Sequence, residues 1–343
     1  SRIALGHNAD DQAETVLMRL LRGSGATGLG AMDSVRGGRY LRPLLEVWRG
    51  EIETYARARK LSYREDASNR DRRFLRNRVR GELLPVLRQY NANISAVLNR
   101  TARLLKDEDA LLAELAQEAL TAVVCERCSD KIVLDSKGLV DYHIAVQRRV
   151  VRAVLGGLST AEGPFDFVVV ERILHYIATG DGRLRELGAG IRGQGGGNRY
   201  ILRRGHRPEI ACSLALPGVV VLPGHGAEVH CEIAPAAHFD HIRGELGGAV
   251  AAFDADRLGK QVCLRSPRPG DRIQPLGMSG HKKLSDLFTD CKWPRILRDE
   301  VLVLACGAEI AWVAPLRSSH AFRVDAATVR MAVCRLRPAH REA

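Results

Sequence analysis

The stretch GHNADDQAETVLMRLLRGSG, Gly6 to Gly25, constrains this chain more than any other. Ala13, Val16, Leu17, Leu20 and Leu21 recur at helical spacing, so Ala9 to Leu21 reads as a helix with one buried face. Gly23, Gly25, Gly28 and Gly30 supply the turn chemistry that ends it. Ile3 to Leu5 just ahead is a short apolar strand, and a further helix is expected from about Val47 to Arg59. A strand running straight into a helix puts this region in the α/β class. The carbonyl-end loops of such a sheet are where ligands are held.

Asp10, Asp11 and Glu14 sit at the head of that helix, with His7 just upstream. Spacings of three and four residues let these carboxylates converge. A single acidic group there would only cap free amides and complement the helix dipole. Three of them beside a histidine suit an ammonium group or a hydrated magnesium ion.

Charge narrows the partner. Among 343 residues, 52 Lys and Arg face 40 Asp and Glu, a net charge of +12. Such a balance favours a polyanion, because neutralised phosphates release counterions, and nucleic acid is the usual one. RNRVRGELLP (Arg76 to Pro85) offers Arg76, Arg78 and Arg80 with Asn77, and EDASNRD upstream adds Asp66, Ser68 and Asn69. Guanidinium forks match phosphate geometry, although a solvated basic helix face would look the same. Another basic stretch, Arg265, Arg268, Arg272, His281, Lys282, Lys283, Arg295 and Arg298, surrounds Trp293, which reads as a buried tryptophan rather than a stacking platform. The glycine-rich GAGIRGQGGGNR lacks the Lys-Ser/Thr and the helix of a phosphate loop and reads as a hairpin or loop.

No stretch approaches the ~20 consecutive apolar residues of a membrane span, and no signal-peptide pattern opens the sequence. SRIAL reads as a strand already under way, so the chain is expected to start inside a domain. Eight cysteines are scattered, with Cys125 and Cys128 the single CxxC pair. Without a second pair at zinc spacing they read as reduced thiols of a cytoplasmic protein. NISAVLNRTARLLKDEDALLAELAQEAL is a long amphipathic helix of the kind that bridges domains. DYHIAVQRRVVRAVLGGL and DFVVVERILHYIATGDG read as paired helices, followed by strands around NRYILRRG and GVVVLPG. Short strands then alternate with Pro/Gly turns and end in VLVLACGAEIAWVAP, a buried hairpin around Gly307.

GHNADDQAETVLMRLLRGSGATGLGAM, LRPLLE, EDASNRD and RNRVRGELLP follow one another here, and RSPRPGDRIQPLGMSGHKKLSDLFTDCKWPRILRDEVLVL comes later. In this order and wording the chain resembles the bacterial tRNA(Ile)-lysidine synthetases, within the PP-loop ATP-pyrophosphatase superfamily. The resemblance covers almost the whole chain and is weakest from Cys125 to Pro235. It implies an α/β fold: a partial Rossmann-like PP-loop (HUP-type) nucleotide-binding domain over 1–90 and a linker helix over 91–123. A mostly helical middle domain over 124–235, binding substrate or tRNA, and a small α+β tRNA-binding domain over 253–335 complete it.

The resemblance also implies a reaction. ATP adenylates the wobble cytidine of the tRNA(Ile) bearing a CAU anticodon, releasing pyrophosphate; the ε-amine of L-lysine then displaces AMP to give lysidine. Carried over by motif, Asp11 and Glu14 grip the lysine, with His7 and Asp10 supporting them or Mg2+. Arg22, Arg76, Asn77 and Arg80 meet phosphates of ATP or RNA, and Lys282 and Lys283 meet the tRNA body. The implied setting is cytoplasmic, with the oligomeric state open and a homodimer among the arrangements. The family's SGGxDS loop, which cradles the ATP phosphates, occurs nowhere in the 343 residues. The chain is therefore expected to be N-terminally truncated, and this polypeptide to have little or no synthetase activity. Two rivals stand beside this reading: a PP-loop enzyme that thiolates tRNA through Cys125 and Cys128, and a non-catalytic tRNA-binding fragment.

Overall fold

The structure is a computed structural model and describes residues 1–63, 71–160, 165–222 and 224–338. Asp66, Ser68 and Asn69 lie outside the described residues. The chain divides into two compact units, Ser1–Leu120 and Thr121–Ala343.

In the first unit Ile3–Ala4 pairs in parallel with Tyr40–Leu41, which pairs antiparallel with Val35–Arg36. The expected helix spans Ala9–Leu21. Asn8 caps it by accepting from the amides of Asp10 and Asp11, while the Asp11 carboxylate accepts from the Asn8 amide, closing a reciprocal box. Gly23, at φ 78°, turns the chain off the end in a conformation that penalises any residue with a Cβ. The next long helix runs Arg49–Ala58.

The RNRVRGELLP stretch is helical, with one irregularity. Leu75–Arg78 and Leu84–Tyr90 are α-helical, and Val79–Leu83 between them is a π-turn. Pro85 has no amide to bond the Gly81 carbonyl, so the spiral widens there. Leu17, Val79 and Leu84 lock this segment onto the opening helix, each buried aliphatic side chain contributing about 1.5–3 kcal/mol. The long amphipathic helix is present over Ile94–Val123.

In the second unit the paired helices are found at Ile144–Leu158 and Phe167–Thr179. The middle region is nonetheless not mostly helical. Val124–Arg127, Lys131–Asp135, Arg199–Arg204, Ile191–Gly196 and Arg185–Gly188 form, in that order, a five-stranded antiparallel sheet. The glycine-rich stretch is its central hairpin. Glycine has weak strand propensity, which hid the sheet in the sequence, yet it is needed here. A Cβ on Gly193 would lie 2.6 Å from the Tyr200 hydroxyl, and one on Gly195 would lie 2.7 Å from the Asp181 carbonyl.

Two antiparallel sheets follow. One orders Arg317–Ser318, Glu309–Ala314, Leu302–Cys306, Gln261–Arg265 and Ala211–Ala215; the other orders Gly218–Leu222, Ala227–Pro235, Arg330–Pro338 and Val250–Asp254. The hairpin around Gly307 is Leu302–Cys306 with Glu309–Ala314, and it is buried. Strands between Ala211 and Pro235, grouped with the middle region by sequence, hydrogen-bond into these C-terminal sheets. Phe253 and Trp312 meet in their core with ring centroids 6.5 Å apart. Register sets Cys231 directly opposite Cys334, and the two form a disulfide, which corrects the reading of all eight cysteines as thiols. Their separation of 103 residues gave the sequence no way to signal the pairing. Among the described residues no helix is long and apolar enough to cross a membrane.

Candidate functional site

Asp11 and Glu14 converge as their spacing required, and what they converge on is Arg80. Its Nε donates to Glu14 Oε1 at 2.5 Å, and its Nη2 donates to Glu14 Oε2 and to Asp11 Oδ1, both at 3.1 Å. The widened turn at Val79–Leu83 is the element that carries Arg80. Glu14 is 1% exposed. Burial pushes its carboxyl above the usual range, and the Arg80 fork only partly opposes this. Glu14 in turn holds the Arg80 guanidinium more firmly charged than usual.

Arg76 braces the same face from one turn earlier. Its Nη2 donates to Thr15 Oγ1 at 3.1 Å, its Nε lies 3.6 Å from Glu14, and Thr15 Oγ1 donates to the Asp11 carbonyl at 2.7 Å. Asp10 points elsewhere: its carboxylate accepts from the Arg49 amide at 2.9 Å and so caps the next helix. Among the described residues no three His, Cys, Asp or Glu are grouped to hold a metal ion.

His7 accepts from Arg42 Nε at 3.3 Å through Nδ1, and Arg42 also donates to the Asp33 carbonyl at 2.7 Å. Burial lowers the His7 pKa; nearby Asp11 opposes that, while Arg42 and Arg76 reinforce it, so the ring favours its neutral form. His7, Thr15, Arg19, Arg36, Arg42 and Arg76 line a cavity of about 470 Å³. A wall with four arginines suits phosphate oxygens, which guanidinium groups bind in pairs.

The remaining expected residues fall outside this cluster. Arg22 is exposed at the C-terminal end of the opening helix, about 20 Å from its head at 1.5 Å per residue. Asn77 donates to the Asp71 carbonyl at 2.8 Å. Arg80 is absent from the cavity's lining residues and serves the carboxylates. Lys282 and Lys283 belong to the second unit, where Lys282 pairs with Asp290 and Lys283 is exposed. Trp293 packs partly buried, its indole donating to the Leu297 carbonyl at 3.1 Å. Desolvation and the Glu126 carboxylate push the Cys128 thiol up, away from the reactive thiolate that sulfur transfer would use. Sequence reasoning passed over Arg19, Arg36 and Arg42 as site residues. Arg42 stands inside LRPLLE and Arg19 inside the opening stretch, so motif membership was the available signal.

The PP-loop domain family matches residues 1–87, and the TilS substrate C-terminal domain family matches residues 262–334. A tRNA(Ile)-lysidine synthase from Geobacter sulfurreducens is 40% identical over 347 residues, covering 98% of this chain and 71% of that protein. One from Symbiobacterium thermophilum is 38% identical over 351 residues, covering 95% of this chain and 71% of that protein. A crystal structure of a TilS C-terminal domain aligns at TM-score 0.34 and 24% identity, covering 39% of this chain and 99% of that one.

Proposed function

The chain belongs to the tRNA(Ile)-lysidine synthase family, and on that premise we propose that the Asp11–Glu14–Arg80 cluster receives L-lysine while the arginine-walled cavity beside it receives phosphate. The function is ligation of L-lysine to the wobble cytidine of the CAU-anticodon tRNA(Ile), with ATP consumed in adenylating the base. The observation that carries the site assignment is the convergence of two carboxylates next to four phosphate-matching arginines.

The lysine ammonium must be held and then relieved of a proton before it can attack. Asp11, the less buried carboxylate, is positioned for the holding. Glu14, with its carboxyl pushed up by burial, is the better proton acceptor of the two. Arg80 bonds both carboxylates until the ammonium arrives and competes for the same oxygens. Arg19, Arg42 and Arg76 face the phosphates, where positive charge stabilises departing pyrophosphate and AMP. In the second unit Lys283 and its basic neighbours meet the tRNA backbone.

The 343 residues carry no SGGxDS loop, and as they stand they are expected to adenylate little or no tRNA. The test joins an SGGxDS-bearing PP-loop segment ahead of Ser1 and follows labelled L-lysine into a CAU-anticodon tRNA(Ile) transcript. Incorporation is expected, falling about 100-fold in the Asp11→Asn, Glu14→Gln double variant. Unchanged lysine saturation in that variant would remove the site assignment. Robust incorporation by the 343 residues alone would remove the requirement for the loop.

A further inference from the structure

The long helix Ile94–Val123 buries one face and leaves another bare. Ala102, Ala116, Ala119 and Leu120 are buried. Leu104, Leu111 and Leu115 are not, with 57%, 58% and 41% of their surface open to solvent. Singly exposed leucines are ordinary, but at 3.6 residues per turn these three fall within about 40° of one another and make one stripe about 16 Å long.

The charges beside the stripe say what covers it. On the far flank Lys106 pairs with Asp33 at 2.5 Å, and Asp109 accepts from the Thr27 hydroxyl at 2.7 Å. Arg100, Arg103, Glu114 and Glu118 are instead exposed and have no partner among the described residues. All four lie along one edge of the leucine stripe, the arginines toward its N-terminal end and the glutamates toward its C-terminal end. Glutamates repel a polyanion, and a lipid surface leaves all four charges unanswered. A second copy of the same helix, run antiparallel, answers every one. A two-fold axis passing between Glu108 and Leu111 sets Leu104 against the partner's Leu115 and keeps each charged edge against its own counterpart. Arg100 then meets the partner's Glu118 and Arg103 the partner's Glu114, each contact occurring twice. Parallel copies would set like charge against like. Asp107 and Glu108, beside the axis, repel their own counterparts and keep the pair weak.

We propose that two copies of this chain associate through Leu104, Leu111 and Leu115 in an antiparallel helix pair, held in register by Arg100–Glu118 and Arg103–Glu114 contacts between copies. The association is independent of the lysine and phosphate sites assigned above.

Sedimentation velocity on the full chain, at up to about 200 µM, is expected to show a reversible dimer, since so small an interface dissociates in the micromolar range. Leu111→Glu is expected to weaken it about 100-fold, because an apolar contact is lost and like charge is added at the axis in both copies. Far-UV circular dichroism should stay unchanged, as Leu111 belongs to no buried core. Arg100→Glu with Arg103→Glu should also leave monomers. Adding Glu114→Arg and Glu118→Arg to that same chain should restore the dimer. General damage gives no such rescue, and neither does parallel pairing, where like faces like in every variant. A monomer at every concentration overturns the proposal, as does a dimer that Leu111→Glu leaves intact. A dimer lost in the double variant and not regained in the quadruple one overturns the antiparallel register, and the proposal with it.

Discussion

Arg80 in the first unit and Arg203 in the second each hold carboxylates, and the difference between them lies in what surrounds the pair. Arg203 is 0% exposed and is shared among Asp299, Glu300 and Asp130, with the Ile296 carbonyl 3.1 Å from Nη1. Lys131 and Arg192 join the same network, which ties the middle sheet to the turn Arg295–Glu300. Arg80 leaves 32% of its side chain in solvent. Full enclosure makes every partner obligatory, because a buried charge stripped of its counter-charge has no water to turn to. Partial exposure lets a guanidinium exchange one partner for another, which is what a substrate ammonium arriving at Asp11 and Glu14 demands. The first cluster is built to be interrupted, the second to stay closed.

That contrast can be broken first at Arg203. Arg203→Leu removes the buried guanidinium that Asp130, Asp299 and Glu300 share, leaving Glu300 to Lys131 and Asp299 to Arg192, and is expected to cost about 3–5 kcal/mol of unfolding free energy, read by urea denaturation. A negligible loss would erase the contrast from the structural side. Arg80→Met should cost less, about 2 kcal/mol, because the Arg80 side chain is itself partly in solvent and the enclosed Glu14 keeps Arg76 beside it. A loss as large as that of Arg203→Leu would place both clusters in the same class. Arg42→Ala is expected to leave the fold intact and to weaken pyrophosphate binding about tenfold by calorimetry, the worth of one charged hydrogen-bonding group. Unaltered binding would move the phosphate site elsewhere.

The smallest effect concerns protons. The His7 pKa is lowered below its ordinary 6.5, mainly by burial. A depressed folded value means that its contribution to stability is fully present above 6.5 and is lost as pH falls below that, toward the folded value. The His7 Cε1–H resonance should therefore reach half-titration below 6.5. Titration above it would mean that Asp11, not burial, governs the ring.

Much of the opening cluster was legible before any coordinates. Helical spacing set Asp11 and Glu14 on one face, and Asn8 with Asp11 is a capping pattern readable three residues apart. Asp10 defeated the same logic: its spacing to Glu14 was right, but the Arg49 amide claims its carboxylate from 39 residues away. Arg42 stayed silent for a related reason, since its contact with His7 spans 35 residues.

The sequence by itself determined the helices, their caps, the basic character and, through its motifs, the family, because each of these is written within a few turns of chain. Tertiary structure decided the middle sheet, the Cys231–Cys334 pairing and the company kept by Arg80. All three depend on which distant segments become neighbours, and register between strands or helices is fixed by the packing of whole faces rather than by any local pattern.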